Sequence, residues 1–209
     1  MTGETGNNDE RDGGNESGHS ADGWPVDLTG VVESVVTTLG PNERWNVAAL
    51  GLHAGAPVTA KTYGRTRTWR NFRERGGGYV QFTRDPVDFV DAALAVREVD
   101  EPVLGSADAW AEVTVERVGS EREGDTEIVT WELEPVDSGV ERRVVPTTNR
   151  GFYAVVEATV AASRLDVDAY ERETLLDRLA YFEGVVETSG GERERTAFER
   201  IEDLVDAEW

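Results

Sequence analysis

The chain contains no cysteine, two histidines and a single lysine among its 209 residues. Without cysteine it cannot form a disulfide framework, a zinc ribbon, a thiolate nucleophile or a cysteine-bound iron–sulfur cluster. Two histidines, one of them in a Gly-rich segment, argue against a His-rich metal site and against a Ser-His-Asp triad. We therefore predict no metal site and expect any chemistry to come from elsewhere.

Long apolar runs are also missing. No segment approaches the roughly 18 apolar residues that a membrane helix needs. The first residues, Met1 to Glu4, do not begin a basic region followed by an apolar stretch, as a secretory signal would. We expect a cytoplasmic protein with no membrane partner.

Positive charge is scarce: the chain has 42 acidic and 21 basic residues, and its net charge is −21. A uniformly acidic surface repels phosphate backbones and anionic lipids, so nucleic acid is not expected as a general partner. Twenty of the basic residues are arginine. The lack of lysine, together with the many carboxylates, is typical of a haloarchaeal-type cytoplasmic protein, and a GC-rich genome that favours arginine codons is the alternative.

The chain divides into three regions by composition. Residues 1–23 form a polar, acidic and Gly-rich tail, which we expect to be disordered because it has little apolar surface to bury. Residues 24–145 follow mainly a strand pattern, and residues 146–209 a helical one. Strands first and helices afterwards predict an α+β protein, a small β-barrel followed by a C-terminal helical segment.

Period-2 alternation is clearest in two segments, Ala109 to Val118 and Glu127 to Glu134, which predict antiparallel strands joined by a hairpin loop over 119–125. Further strands are predicted over 31–37, 44–52, 58–63 and 79–83. A helix is predicted over 86–96 with Asp85 as its N-cap. Three more helices are predicted after residue 150, the second opened by Asp168 and Glu171 as a capping pair.

The charge balance inverts over residues 41–85, where eight basic residues meet three acidic ones and the local net charge is +5. Such an island on an acidic protein indicates a bound anion. Its densest part runs from Lys61 to Asn71. Arg65 and Arg67 offer guanidinium forks that match phosphate oxygens, and Thr66 and Thr68 offer hydroxyl groups. A helix beginning near Thr68 would add free N–H groups.

Two other interpretations of the island remain open. Arginines on an acidic protein often form surface ion pairs worth only about 0–1 kcal/mol each. An arginine and aromatic patch could also contact nucleic acid locally, although the rest of the surface opposes it.

Four stretches resemble the archaeal FMN-binding split-barrel proteins classed as domain of unknown function 447. They are Asn46 to Gly51, Thr66 to Phe72, Gln81 to Asp85 ahead of Phe89, and Asn149 to Leu165. Their order and spacing fit over about residues 31–165. The resemblance implies a six-stranded split β-barrel, a homodimer, and FMN bound near the dimer interface.

The resemblance also implies residue roles. Thr66, Thr68 and Asn71 would hold the FMN phosphate. The strand residues Asn46, Val47, Ala48, Ala49 and Leu50 would line the isoalloxazine ring. Thr83, Asp85 and Arg150 would lie near the same site. The chain differs from family members in having Ala49 and Leu50 where Pro and Met are usual, and Gln81 where Asn is usual.

Three functions follow as hypotheses. The first is an FMN-dependent oxidoreductase of unknown substrate, since the cofactor carries the redox chemistry and needs no protein nucleophile. The second is a non-catalytic FMN carrier or sensor with the same phosphate residues. The third is a flavin-free protein that binds another phosphorylated metabolite.

Overall fold

The computed structural model describes residues 23–209, so the disorder expected for the N-terminal tail concerns residues that lie almost wholly outside the described part. Seven strands and five helices follow one another within 23–209. They are β1 (Val31–Leu39), β2 (Trp45–His53), β3 (Val58–Tyr63), α1 (Arg67–Arg75), β4 (Gly77–Thr83), α2 (Pro86–Leu94), β5 (Arg97–Val99), β6 (Ala107–Glu123), β7 (Thr126–Val140), α3 (Arg150–Ala162), α4 (Arg172–Ser189) and α5 (Glu192–Leu204).

Six of these strands close an antiparallel barrel in the order β1-β4-β6-β7-β3-β2, with β2 returning to β1. The short strand β5 lies outside the ring, paired with the first residues of β2. Alternate residues of each strand point inward, and they meet in one apolar core that includes Leu52, Val80, Val113, Trp131 and Leu133. The expected α+β barrel followed by helices is confirmed.

Helix α1 covers one end of the barrel. Its apolar side places Trp69 and Phe72 in the barrel core. Asn71 donates from its side-chain amide to the carbonyl and hydroxyl oxygens of Thr38 on β1. The helix ends at Gly76, whose φ of 73° lies in the left-handed region that glycine adopts without strain.

The remaining helices form a second apolar core against the outside of the barrel. Val90 of α2 is buried there with Val155 of α3, Leu179 of α4 and Ile201 of α5. The opposite side of α2 places Phe89 against Val47 of β2. Helix α2 therefore lies between two strands in the sequence, but it packs with the C-terminal helices.

The structure corrects three local predictions. Residues 119–125 are not a hairpin loop, because β6 and β7 stay paired as far as Glu123 and Thr126. Asp168 does not open a helix: α4 begins at Arg172 after Glu171, whose carboxylate accepts from the hydroxyl of Thr174 and makes no cap hydrogen bond. Strand β5 was not predicted, and its three residues are too few to show a period.

Within residues 23–209, no helix is both long and apolar enough to cross a membrane. The same residues contain no group of three or more His, Asp or Glu side chains arranged to hold a metal ion.

Candidate functional site

The barrel is open between β2 and β3. These strands pair only at Leu52 with Ala60 and at His53 with Thr59. At the start of β2, residues Trp45 to Val47 of the same edge pair with β5. The stretch of β2 between these two contacts, Ala48 to Gly51, has β1 as its strand partner and none on the other side among the described residues. A gap therefore separates this stretch from the second half of β3.

Helix α1 begins four residues after β3 ends at Tyr63, and its first residue, Arg67, contacts Glu98 of β5, the strand that borders the gap. Thr66 is its N-cap, and the Thr66 hydroxyl accepts a hydrogen bond of 3.1 Å from the backbone N–H of Trp69. The N–H groups of Arg67 and Thr68 precede the first intrahelical bond and have no partner within the helix. Unpaired N–H groups and the positive end of the helix dipole favour a negatively charged group at this position.

Most cations near this helix end are already engaged. The ammonium of Lys61 lies 2.9 Å from Glu121, and this hydrogen bond raises the pKa of Lys61. Arg67 donates to the Glu98 carboxylate of β5 at 2.8 Å. The guanidinium of Arg65 lies over the Trp69 ring, 5.8 Å from its centre. The predicted basic residues are thus close to the helix end, and two of them are held by carboxylates.

A hollow of about 390 Å³ opens on the outer face of the barrel next to the gap. Strands β1, β2 and β3 form its floor, and helices α2 and α3 form its wall. Its lining includes Glu33, Ala49, Leu50, Gly51, His53, Lys61, Tyr63, Phe89, Ala93, Thr159, Ser163 and Arg164. Helices α2 and α3 therefore line one side of this hollow.

Glu33 is the acidic residue in this lining. Partial burial raises the pKa of its carboxyl group, and the nearby Glu157 adds to the rise, while Arg164 and His53 oppose it. The carboxylate oxygens lie about 4 Å from where a side chain on Gly51 would begin, so Glu33 sits above the stretch of β2 that has no second strand partner. The hollow thus holds both signs of charge over an apolar strand.

The structure places the predicted residues in four groups. Ala49, Leu50 and Lys61 line the hollow, and Arg65, Thr66, Arg67 and Thr68 lie at the start of α1. Asn46 and Asn71 are buried, Val47 packs under α2, and Ala48 packs against the barrel core. Thr83, Asp85 and Arg150 are not in the lining of the hollow.

Thr83 and Asp85 instead secure the start of α2. The Thr83 hydroxyl accepts from the backbone N–H of Asp85, and Asp85 accepts from the N–H groups of Val87 and Asp88 as the expected N-cap. Asp85 also forms an ion pair of 2.7 Å with Arg193 of α5. Arg150 is exposed in the first turn of α3.

Sequence reasoning missed Glu33, Thr159, Ser163 and Arg164 as lining residues, and it ended the second strand at residue 52, one residue before His53. Glu33 and His53 alternate with inward-facing residues, so strand period alone could have put them on the outer face. Thr159 and Ser163 are four residues apart on one side of α3. No sequence signal indicated which outer face α3 would cover.

Similarity to solved structures supports this architecture. An FMN-bound protein from Methanosarcina mazei aligns over 85% of this chain and 96% of its own at 24% identity, with a TM-score of 0.72. That match establishes the split-barrel fold with its C-terminal helices. An FMN-binding protein from Thermus thermophilus and the styrene monooxygenase flavin reductase from Pseudomonas putida S12 align over 56% and 55% of the chain (78% and 82% of theirs). Their identities are 17% and 15%, and both TM-scores are 0.39, too low to inform function.

Family models match both parts of the chain. The model described as the N-terminal domain of a protein of unknown function (DUF447) matches residues 32–142. A second model of the same family matches residues 149–203. The first match alone covers more than half of the chain, and the chain belongs to the DUF447 family.

Proposed function

We propose that this protein binds FMN, with the phosphate at the start of α1 and the isoalloxazine ring against the open stretch of β2. One observation carries the proposal: the N–H groups of Arg67 and Thr68 have no partner within α1, and Arg67 contacts Glu98 of β5, the strand that borders the gap. Ala49, Leu50 and Gly51, on the unpaired stretch of β2, line the hollow. An anion site next to an apolar slot matches a phosphorylated planar molecule. The FMN-bound protein from Methanosarcina mazei supports FMN as the ligand.

The other predicted residues act through positioning in this proposal. Thr83 and Asp85 fix the start of α2, which carries Phe89 and Ala93 into the hollow. Arg150 begins α3, which carries Thr159 and Arg164 there. Asn71 ties α1 to β1 through Thr38 and so holds the helix start in place.

We further propose a homodimer and a flavin-dependent oxidoreductase. Val31 and Tyr63 are large apolar side chains in the lining of the hollow, and each is 58% exposed, which fits a rim covered by a second copy. Bound FMN would supply hydride transfer, while the chain orients it and limits access of water. The Arg-rich, Lys-poor acidic composition supports a cytoplasmic protein of a salt-loving organism with no nucleic-acid partner.

The first test is cofactor retention. The protein is purified in molar KCl, mixed with FMN and desalted, and its visible spectrum is recorded. We expect flavin bands at about one FMN per chain. The variant Arg67→Pro should retain much less flavin than the parent while keeping its fold by circular dichroism, because proline removes one of the two N–H groups and is tolerated at the first position of a helix. The matched variant Arg67→Ala keeps that N–H group and should retain the flavin.

Each outcome separates the hypotheses. Bleaching of the bound flavin by NADPH or a reduced deazaflavin under anaerobic conditions supports the oxidoreductase, and resistance to every reductant supports a carrier or sensor. A parent protein that retains no FMN at any concentration overturns the proposal and favours another phosphorylated metabolite.

A further inference from the structure

Two half-buried cations in residues 23–209 have no carboxylate within 4.0 Å: Arg70 and Arg164. This is unusual in a chain with twice as many acids as bases. Arg164 is compensated in another way, because its guanidinium stacks over the Tyr170 ring at 5.0 Å and faces Glu33. Arg70 has neither kind of compensation among the described residues.

Arg70 is the fourth residue of α1. In a helix, residues three and four positions apart are neighbours, and long side chains lean toward the preceding turn. From Arg70 this direction leads toward Thr66 and Arg67, at the helix end proposed to hold the phosphate. Its Nε is buried and has no hydrogen-bond partner. A buried donor without an acceptor costs about 1–3 kcal/mol, which a bound acceptor would remove.

The other cations near this end are less available. Lys61 is held by Glu121, Arg67 by Glu98, and Arg65 lies over Trp69. An anion arriving at the start of α1 would have to displace a carboxylate from Lys61 or Arg67. Arg70 can donate without giving up a partner.

We propose that Arg70, rather than Lys61 or Arg67, supplies the main positive charge to the flavin phosphate and thereby sets the preference of the site for FMN over riboflavin. The inference rests on the proposed FMN function. Arginine suits this role because its planar fork binds two phosphate oxygens at once, and these charge-assisted bonds are stronger than neutral ones.

The test compares the dissociation constants of FMN and riboflavin, measured by quenching of flavin fluorescence at one fixed salt concentration. Riboflavin lacks the phosphate, so the ratio of the two constants isolates the phosphate contribution. Arg70→Gln should weaken FMN binding tenfold or more and leave riboflavin binding unchanged. Arg70→Lys keeps the charge without the fork and should give an intermediate ratio.

Arg73→Gln is the matched control, because it removes the same charge from the same helix at an exposed position over Trp69. Its ratio should equal that of the parent. Equal losses in Arg70→Gln and Arg73→Gln would show a general charge effect and overturn the inference. Parental ratios in both Arg70→Gln and Arg70→Lys would also overturn it. A parent that does not prefer FMN to riboflavin contradicts the phosphate site itself, a result distinct from these.

Discussion

Gln81 has a structural role in the barrel wall. Its side chain is fully buried on β4. The amide nitrogen donates to the Thr37 hydroxyl and the Pro102 carbonyl, and the amide oxygen accepts from the N–H of Leu104 at 2.7 Å. Gln81 therefore holds the segment between β5 and β6 against the barrel. These hydrogen bonds account for its burial without a contact to a bound flavin.

This role gives a prediction for Gln81→Met, which keeps the length of the side chain and removes its polar atoms. The Leu104 N–H would lose its partner and the Pro102 carbonyl would keep only the Thr37 hydroxyl, so we expect a loss of about 2 kcal/mol in the free energy of unfolding. Urea titration in molar KCl measures the loss. FMN affinity should stay at the parental value. Parental stability combined with weakened FMN binding would instead place this amide at the ring.

Trp131 illustrates what the pattern of single residues could predict. In the alternating segment Glu127 to Glu134 it shares one face with Val129 and Leu133, and the structure places all three in the barrel core, with the indole N–H donating to Thr62 at 2.9 Å. Period-2 alternation reports burial directly. The hydrogen-bond partners of Gln81 could not be predicted this way, because the segment around Pro102 has no period.

At the scale of elements, Asp108 joins the ends of three strands. It lies at the start of β6, and its carboxylate accepts from Arg84, just after β4, at 2.8 Å and from Arg142, just after β7, at 3.1 Å. Arg142 also donates to the Gly105 and Ala107 carbonyls. Partial burial tends to raise the pKa of Asp108, but the two arginines outweigh it and hold that pKa below its usual value.

We therefore expect Asp108→Asn to destabilise the fold by about 1 kcal/mol at pH 7, a value reduced for the half-exposed arginines. A lowered carboxyl pKa stabilises the fold above the unfolded-state pKa, and this contribution is lost as pH falls through the folded-state value. The difference between parent and variant should thus shrink below about pH 4. Thermal unfolding at several pH values measures it. If the stability difference between parent and variant stays constant down to low pH, Asp108 stabilises the fold through its shape and not through its charge.

Elements were predictable where a period or a cap marked them. Helix α2 was predicted from Asp85 and Pro86, and the cap is present as expected. Helix α1 was harder, because its basic residues on one side hide the apolar pair Trp69 and Phe72. The gap beside β2 was not predictable from strand patterns. It arises because β3 pairs only with the end of β2, while β5 pairs with the start of the same edge. The candidate site therefore followed from the charge island and the resemblance, and its cavity from the structure.

At the scale of the whole molecule, two electrostatic effects of salt oppose each other. The ion pairs between described residues, such as Arg193 with Asp85 and Arg200 with Asp91, lose attraction when salt screens them. The repulsion among 42 acidic residues is also screened, and this favours the compact state. Exposed pairs contribute only about 0–1 kcal/mol each, so we expect the relief of repulsion from a net charge of −21 to prevail.

We expect the melting temperature to rise with KCl concentration. Most of the rise should occur below about 1 M, because the screening length has already fallen to roughly 3 Å at that concentration. Differential scanning fluorimetry of the FMN-free protein measures it, which keeps cofactor affinity out of the result. The triple variant Glu116→Gln/Glu134→Gln/Glu187→Gln removes three exposed charges and should melt higher than the parent at low salt. It should gain less from KCl, because less repulsion remains to be screened. A melting temperature that falls with KCl would mean that ion pairs dominate, and the salt-loving origin inferred from composition would then be wrong.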